Sequence, residues 1–151
     1  MESTSFEHAV APHYPALLQR LTVVLRDPHD AEDVAQEAYL RAFRAWHRFD
    51  GTDPRAWLYT IGLRLAFNEL RRRRVRVFER RTRDDAWEPP LEPDLWAAIG
   101  RLSAQQRAAL VLHVVDGYTQ AEVAGMLRSE PGTVASWISR AKAHVRQELE
   151  G

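Results

Sequence analysis

Ser103-Ala104-Gln105-Gln106, then Gly117-Tyr118-Thr119-Gln120-Ala121-Glu122, then Pro131-Gly132-Thr133-Val134 punctuate the last third of the chain. Their order decides the fold. The first and second stretches each contain a capping box, a Ser or Thr at the N-cap answered three residues later by Gln or Glu. Gly117 stands where a helix C-cap needs a residue free to take positive φ. Pro131 suits the first turn of a final helix. Two capped helices and a tight turn feeding a longer helix form the helix-turn-helix pattern. DNA binding is therefore the first expectation, ahead of catalysis. In the last helix Val134, Ile138, Ala141 and Val145 make the buried row, and Thr133, Ser136, Ser139 and Arg140 lie opposite, with Trp137 on a flank.

Upstream, three further helices are predicted. The first spans about 11–25, with Leu17, Leu18, Leu21 and Val24 apolar and Asp27-Pro28 as its break. The second starts with Asp30 as N-cap, followed by Glu32 and Asp33 in its first turn, where the helix dipole favours acids. The third opens at Asp53-Pro54 and runs to about Arg74. At 100° per residue, Leu58, Ile61 and Leu65 take one side and Leu63, Phe67 and Leu70 another. Gly62 and Ala66 between them allow close helix approach, and Thr60, Arg64, Asn68 and Arg71 form a narrow polar stripe. That stripe is either presented to a partner or is a solvated face. Val111–Val115 is β-rich, but its flanking caps favour helix.

The 151 residues suffice for one medium or two small domains, and 45% hydrophobic content is that of a globular chain. Net charge is zero, yet nine arginines and only two acids lie between Arg64 and Arg83, so basic charge is local. Residues 84–94 are acidic and proline-rich. The expected architecture is all-α: two small helical domains, 1–75 and 93–151, joined by a flexible linker at 76–92. The chain has no cysteine, which excludes disulfides, thiolate metal sites and cysteine nucleophiles and suits a reducing cytoplasm. No apolar run approaches the length of a membrane span, and no membrane insertion is expected. The acids Asp27, Asp30, Glu32, Asp33 and Glu37 are explained largely by helix capping, and the six histidines have no ligand spacing. No metal, cofactor or enzymatic site is expected, because phosphate loops, nucleophile elbows and paired catalytic carboxylates are missing.

Two sets of motifs carry a family resemblance. Asp30-Ala-Glu-Asp-Val-Ala-Gln-Glu-Ala-Tyr-Leu-Arg-Ala-Phe43, Trp46, Phe49-Asp50, Pro54-Arg-Ala-Trp-Leu-Tyr-Thr-Ile-Gly62 and Asn68-Glu-Leu-Arg-Arg-Arg-Arg74 resemble region 2 of extracytoplasmic-function sigma factors. Leu102–Leu110, Gly117–Ala124 and Gly132–Lys142 resemble region 4 of the same sigma-70 family. The resemblance implies a protein that binds core RNA polymerase and promoter DNA. It implies docking on the β′ clamp helices through Asp33, Gln36, Glu37, Leu40 and Arg44, and contact of the second domain with the β flap. On the −10 side it implies base capture around His47, Phe49 and Trp57, and duplex contact through Thr60, Arg64, Asn68, Arg71 and Arg72. On the −35 side it implies Arg128, Thr133, Ser136, Trp137 and Arg140. An anti-sigma factor wedged between the domains is a further implied partner.

Physical chemistry is consistent with these roles. Aromatic rings stack on bases of any identity, worth ~1–3 kcal/mol per base, and Trp46, His47, Phe49, Trp57 and Tyr59 lie near the basic helix. Trp46 and Trp57 also suit the core, and His47 and Phe49 better suit base contact. The arginines at 71–74 would pair with phosphates and make binding steeply salt-dependent. Arg140 would read guanine or grip phosphate. The sequence departs from the family pattern at the turn before the last helix, where Arg128 replaces the usual glycine. It departs again inside that helix, where Ala135 and Trp137 replace basic residues. Glu130 is a poor N-cap, and Ser129 is the alternative. Two other readings stand beside a sigma factor: a helix-turn-helix regulator that does not recruit polymerase productively, and a protein-interaction module.

Overall fold

The computed structural model describes residues 2–75 and 88–151, with side chains for 4–73 and 88–151. Within them every regular element is helical. The first half comprises α1 (Glu2–Ala9), α2 (Tyr14–Leu25), α3 (Pro28–Ala45) and α4 (Pro54–Val75), with 3₁₀ turns at Ala11–His13 and Trp46–Arg48. The second comprises α5 (Pro93–Gly100), α6 (Ala104–Leu110), a π-helical stretch at Val111–Val115, α7 (Gln120–Leu127) and α8 (Pro131–Glu150). The linker expected at 76–92 falls mostly outside the described residues.

Helices α2, α3 and α4 pack as a bundle. Gly62 permits the close approach: a Cβ there would sit 2.8 Å from Leu17 Cδ1 and 3.7 Å from Ala38 Cβ. Leu58, Leu63 and Ala66 of α4 are buried against Leu17, Leu21, Ala35 and Ala38. Asp53 caps α4, its Oδ1 accepting from the Ala56 amide at 2.9 Å.

Two features differ from expectation. Ahead of the first predicted helix, which starts at about residue 11, residues Glu2–Ala9 form a further helix, α1, anchored by Phe6 and Val10. Phe6 meets the rings of Tyr39, Phe43 and Trp46 edge-on at 5.0–5.8 Å. Those rings lie on later elements, so no local pattern announces the helix. The cap of α3 is Asp27, not Asp30. Asp27 Oδ1 accepts from the amides of His29 and Asp30 at 2.9 and 3.1 Å, and Pro28 takes the first helical position. Arg26, at φ 62°, closes α2 in the left-handed conformation just before it. Asp30 is instead buried and forms an ion pair with Arg73.

The caps of the second half are as expected. Ser103 and Gln106 close one capping box, Thr119 and Glu122 the other. Gly117 takes φ 78°. The stretch Val111–Val115 is helical but widened, with the Asp116 amide donating to Val111 O at 3.2 Å. In α8, Val134, Ile138 and Ala141 are buried and Val145 is half-buried. Glu130 precedes α8 without a side-chain cap bond, and Ser129 turns back towards Leu127 O.

The halves are not independent bodies. One apolar cluster runs from Phe6 and Leu17 through Leu63 and Ala108 to Val123 and Ile138. Polar contacts cross the boundary around it. Arg20 grips Asp116 in a two-pronged pair, Nε to Oδ2 at 2.8 Å and Nη2 to Oδ1 at 2.9 Å. Arg55 donates to Tyr118 Oη at 2.7 Å and to Asp116 O at 3.0 Å. These bonds hold both guanidinium pKa values above the ordinary arginine range. Arg107 is 8% exposed and donates to Val24 O at the end of α2.

Candidate functional site

Helix α3 turns the expected polymerase-facing residues outward. Asp33, Gln36, Leu40 and Arg44 are exposed and Glu37 is half-buried. Their spacing of three and four residues puts them on one stripe. The stripe crosses two shallow cavities. Gln36 and Leu40 border an apolar one of about 480 Å³ with Ala11, Tyr14 and Tyr39. Asp33 and Glu37 border a polar one of about 560 Å³ with Arg41 and Arg72. Leu40 and Phe43 are nearly half exposed, unusual for large apolar side chains. Phe43 lies one turn after Tyr39 and Leu40, so helical spacing alone could have placed it beside them on the exposed stripe.

Beyond α3, Trp46, Phe49 and Trp57 form a half-buried aromatic group. Phe49 stacks on Trp46 at 5.1 Å and 9°, and both lean on Trp57 at 5.1 and 5.9 Å. His47 is exposed beside them. Tyr59, expected to join this aromatic surface, is instead 1% exposed inside the bundle. Burial pushes its pKa up to about 12. Four residues on from Arg55, it sits on the inward side of α4.

The polar stripe of α4 is present and has an occupied front. Arg64, Asn68 and Arg71 are exposed, and Arg71 donates to Asn68 Oδ1 at 2.6 Å. Thr60 is half-buried and bonds back to Ala56 O at 2.7 Å. Arg72 points to another side, paired with Glu69 at 2.6 Å and bordering the polar α3 cavity. Arg73, expected among the phosphate-facing arginines, bonds Leu25 O at 2.9 Å and Asp30, so it closes the bundle. Only the fold reveals that carboxylate, 43 residues away along the chain.

Arg64, Asn68 and Arg71 face the second half across a cleft of about 690 Å³. The opposite wall carries Arg128, Ser129 and Trp137. The structure thus brings the −10 candidates of α4 together with two −35 candidates. Thr133, Ser136 and Arg140 remain exposed on α8 and do not line the cleft. Burial, aided by Arg128, lowers the Arg64 pKa. Among the described residues no acid lines the cleft and three arginines do, which makes it a basic, partly apolar recess suited to anions. Arg128 occupies the turn at φ 53°, a conformation that favours glycine. Among the described residues no group of three or more His, Asp or Glu could hold a metal ion. No helix among them is long and apolar enough to cross a membrane.

Comparisons with known proteins cover almost the whole chain. Residues 9–76 match Sigma-70 region 2, and residues 93–145 match Sigma-70, region 4. The chain is 30% identical to the RNA polymerase sigma factor CnrH of Cupriavidus metallidurans, over 97% of this chain and 87% of that one. It is 27% identical to the ECF RNA polymerase sigma factor SigX of Bacillus subtilis, over 99% and 86%. Against the ECF RNA polymerase sigma factor SigE of Mycolicibacterium smegmatis it is 29% identical over 96% of its length, but spans only 62% of that protein. Among solved structures, the sigma factor RpoE in complex with the anti-sigma factor NepR from Bartonella quintana superposes with a TM-score of 0.82 at 26% identity, over 97% of each chain. CnrH in complex with the cytosolic domain of CnrY superposes at 0.70 and 26% identity, over 98% of this chain and 89% of that one. The helical order, the capped helix-turn-helix and the polar stripe of α4 agree with both matched regions: this chain belongs to the extracytoplasmic-function sigma factors of the sigma-70 family.

Proposed function

We propose that this chain binds core RNA polymerase and directs it to promoters. One observation carries the reading: a single chain joins the basic, aromatic-flanked stripe of α4 to a doubly capped helix-turn-helix. The outer stripe of α3, with Asp33, Gln36, Glu37, Leu40 and Arg44, offers apolar and charged contacts to the β′ clamp helices. Exposed Leu40 and Phe43 support that role, since such side chains on a folded surface favour a partner. The β flap would take the second half.

On DNA, His47, Phe49 and Trp57 supply stacking surface for unpaired bases of the −10 element. Thr60, Arg64, Asn68, Arg71 and Arg72 lie along the helix that would track its backbone. Thr133, Ser136, Trp137 and Arg140 would meet the −35 major groove, with Arg128 on a phosphate. The functional division is 1–75 for polymerase and −10 contacts, 76–92 as linker and 93–151 for −35 contacts. The protein acts in the cytoplasm and contributes no catalysis of its own, because phosphodiester formation belongs to the polymerase. An anti-sigma partner is consistent with the co-crystal structure of the similar sigma factor RpoE with the anti-sigma factor NepR.

Run-off transcription with purified core polymerase and genomic fragments tests the proposal. New start sites that weaken with Asn68→Ala and with Arg64→Ala/Arg71→Ala are expected. No transcription, together with no co-migration with core polymerase, would overturn it. A second reading, a regulator that binds duplex without recruiting polymerase, is favoured by the reading face of α8, where Arg140 is the one cation among Thr133, Ser136 and Trp137. Duplex binding without transcription is its signature.

A further inference from the structure

Helix α1 carries a ring that the function above leaves without a role. Phe6 is 1% exposed and sits among three rings from later elements. Its centroid lies 5.0 Å from Tyr39 and 5.3 Å from Phe43, both on α3, and 5.8 Å from Trp46 in the turn that follows. The interplanar angles are 68°, 81° and 76°, all edge-to-face. That arrangement sets the positive rim of one ring against the negative face of another. Tyr14 of α2 meets Tyr39 in the same way at 5.5 Å, so rings of the first three helices brace one another. Val10, 0% exposed, donates its amide to Phe6 O at 2.8 Å and ties α1 to the next turn.

The bracing matters at Trp46. The 3₁₀ turn Trp46–Arg48 has no side-chain cap and closes through the Phe49 amide, which donates to Trp46 O at 3.0 Å. So short a turn has poor hydrogen-bond geometry, and ring packing must set its direction. Trp46 in turn sets Phe49, whose ring lies 5.1 Å away and within 9° of parallel. Trp57 closes the group from α4. Gly51 lets the loop pass close by, since a Cβ there would stand 3.2 Å from Phe49 Cε1. Resting on the base-stacking role proposed above for Phe49 and Trp57, we propose that Phe6 is a positioning residue for −10 base capture. Through Trp46 it fixes the plane on which an unpaired base stacks. Buried as it is, Phe6 touches no base. It acts by holding the rings in place beforehand, which spares the cost of ordering them on binding.

Holoenzyme assembled with saturating core polymerase tests this, titrated with single-stranded −10 oligonucleotides from a promoter found by run-off transcription. The strands are intact or carry an abasic site at one position at a time. The parent is expected to lose about tenfold in affinity at the captured base, the size of one stacking interaction. Phe6→Leu keeps apolar bulk but removes the ring. It is expected to bind the intact strand about fivefold more weakly, yet to lose less than about threefold more at that abasic site, because both changes remove one interaction. Val10→Ala controls for a merely structural role: it loosens α1 without removing a ring, and its effect should be equal on every strand. In the free protein labelled with fluorotryptophan, Phe6→Leu is expected to shift the Trp46 and Trp57 resonances and leave that of Trp137 in place. Equal losses for Phe6→Leu on intact and abasic strands, unmoved Trp46 and Trp57 resonances, or the same coupling in Val10→Ala would each overturn the positioning role. A parent that drives no transcription overturns the reading on which the role rests, and the role with it. That failure shows in the parent alone, before any variant is made.

Discussion

Replacing Tyr59 by Phe removes one oxygen from the middle of the first bundle. The ring is 1% exposed, and its hydroxyl is buried with no hydrogen-bond partner among the described residues. Leaving such a group unpaired costs about 1–3 kcal/mol by protein mutational data, so Tyr59→Phe is expected to stabilise the fold by about that much at pH 7. The effect should grow in alkali. Burial raises the folded-state pKa to about 12 from 10 in the unfolded chain. Between these values the unfolded chain releases the proton and the folded one keeps it, so tyrosine-dependent stability is full below pH 10 and drains away towards pH 12. Two pH units correspond to roughly 2.7 kcal/mol. Phenylalanine has no such loss, so the variant's advantage should widen by 1 kcal/mol or more between pH 9 and pH 11. Urea unfolding followed by tryptophan fluorescence on both proteins measures the difference, and other titrations cancel. A variant that is less stable at pH 7, or an advantage independent of pH from 9 to 11, would refute the argument.

Three other substitutions probe the packing. Arg128→Gly relieves a non-glycine left-handed turn at φ 53°; thermal unfolding should show a gain of about 1 kcal/mol, and loss of stability would mean that the side chain contributes more than the strain costs. Ser103→Ala opens a complete capping box and should lower the urea midpoint by the equivalent of about 1 kcal/mol. Arg107→Met removes bonds to Val24 O and Leu102 O, but also a buried guanidinium whose pKa burial lowers to about 10. The two effects oppose each other, so chemical denaturation should show a net change within roughly 1 kcal/mol. A loss above 3 kcal/mol would mean that the carbonyl bonds dominate.

Local signals account for what could be read directly from the residues. Capping boxes at Ser103 and Thr119, the positive φ at Gly117 and the proline entries at Pro54 and Pro131 all involve groups within four residues of each other. The polar stripe of α4 is likewise a matter of helical period. The structure departs from the local signals where the partner lies far along the chain. Helix α1 is held by rings on α3 and at Trp46, Tyr59 is drawn into the bundle, and Arg73 is taken by Asp30. The cap at Asp27 was hidden differently, because Asp-Pro serves equally as the end of one helix and the start of the next.

Helical class, the turn before α8 and the candidate DNA-facing residues therefore follow from the order of the amino acids, because period and capping act within one or two turns. The joining of the halves does not. Arg20 and Asp116 are 96 residues apart, Arg107 and Val24 83, and no propensity couples residues so distant. Their pairing depends on apolar faces of both halves merging into one core, which excludes water and makes each crossing arginine matter. Whether Arg64 and Arg128 face solvent or each other was settled by that merger.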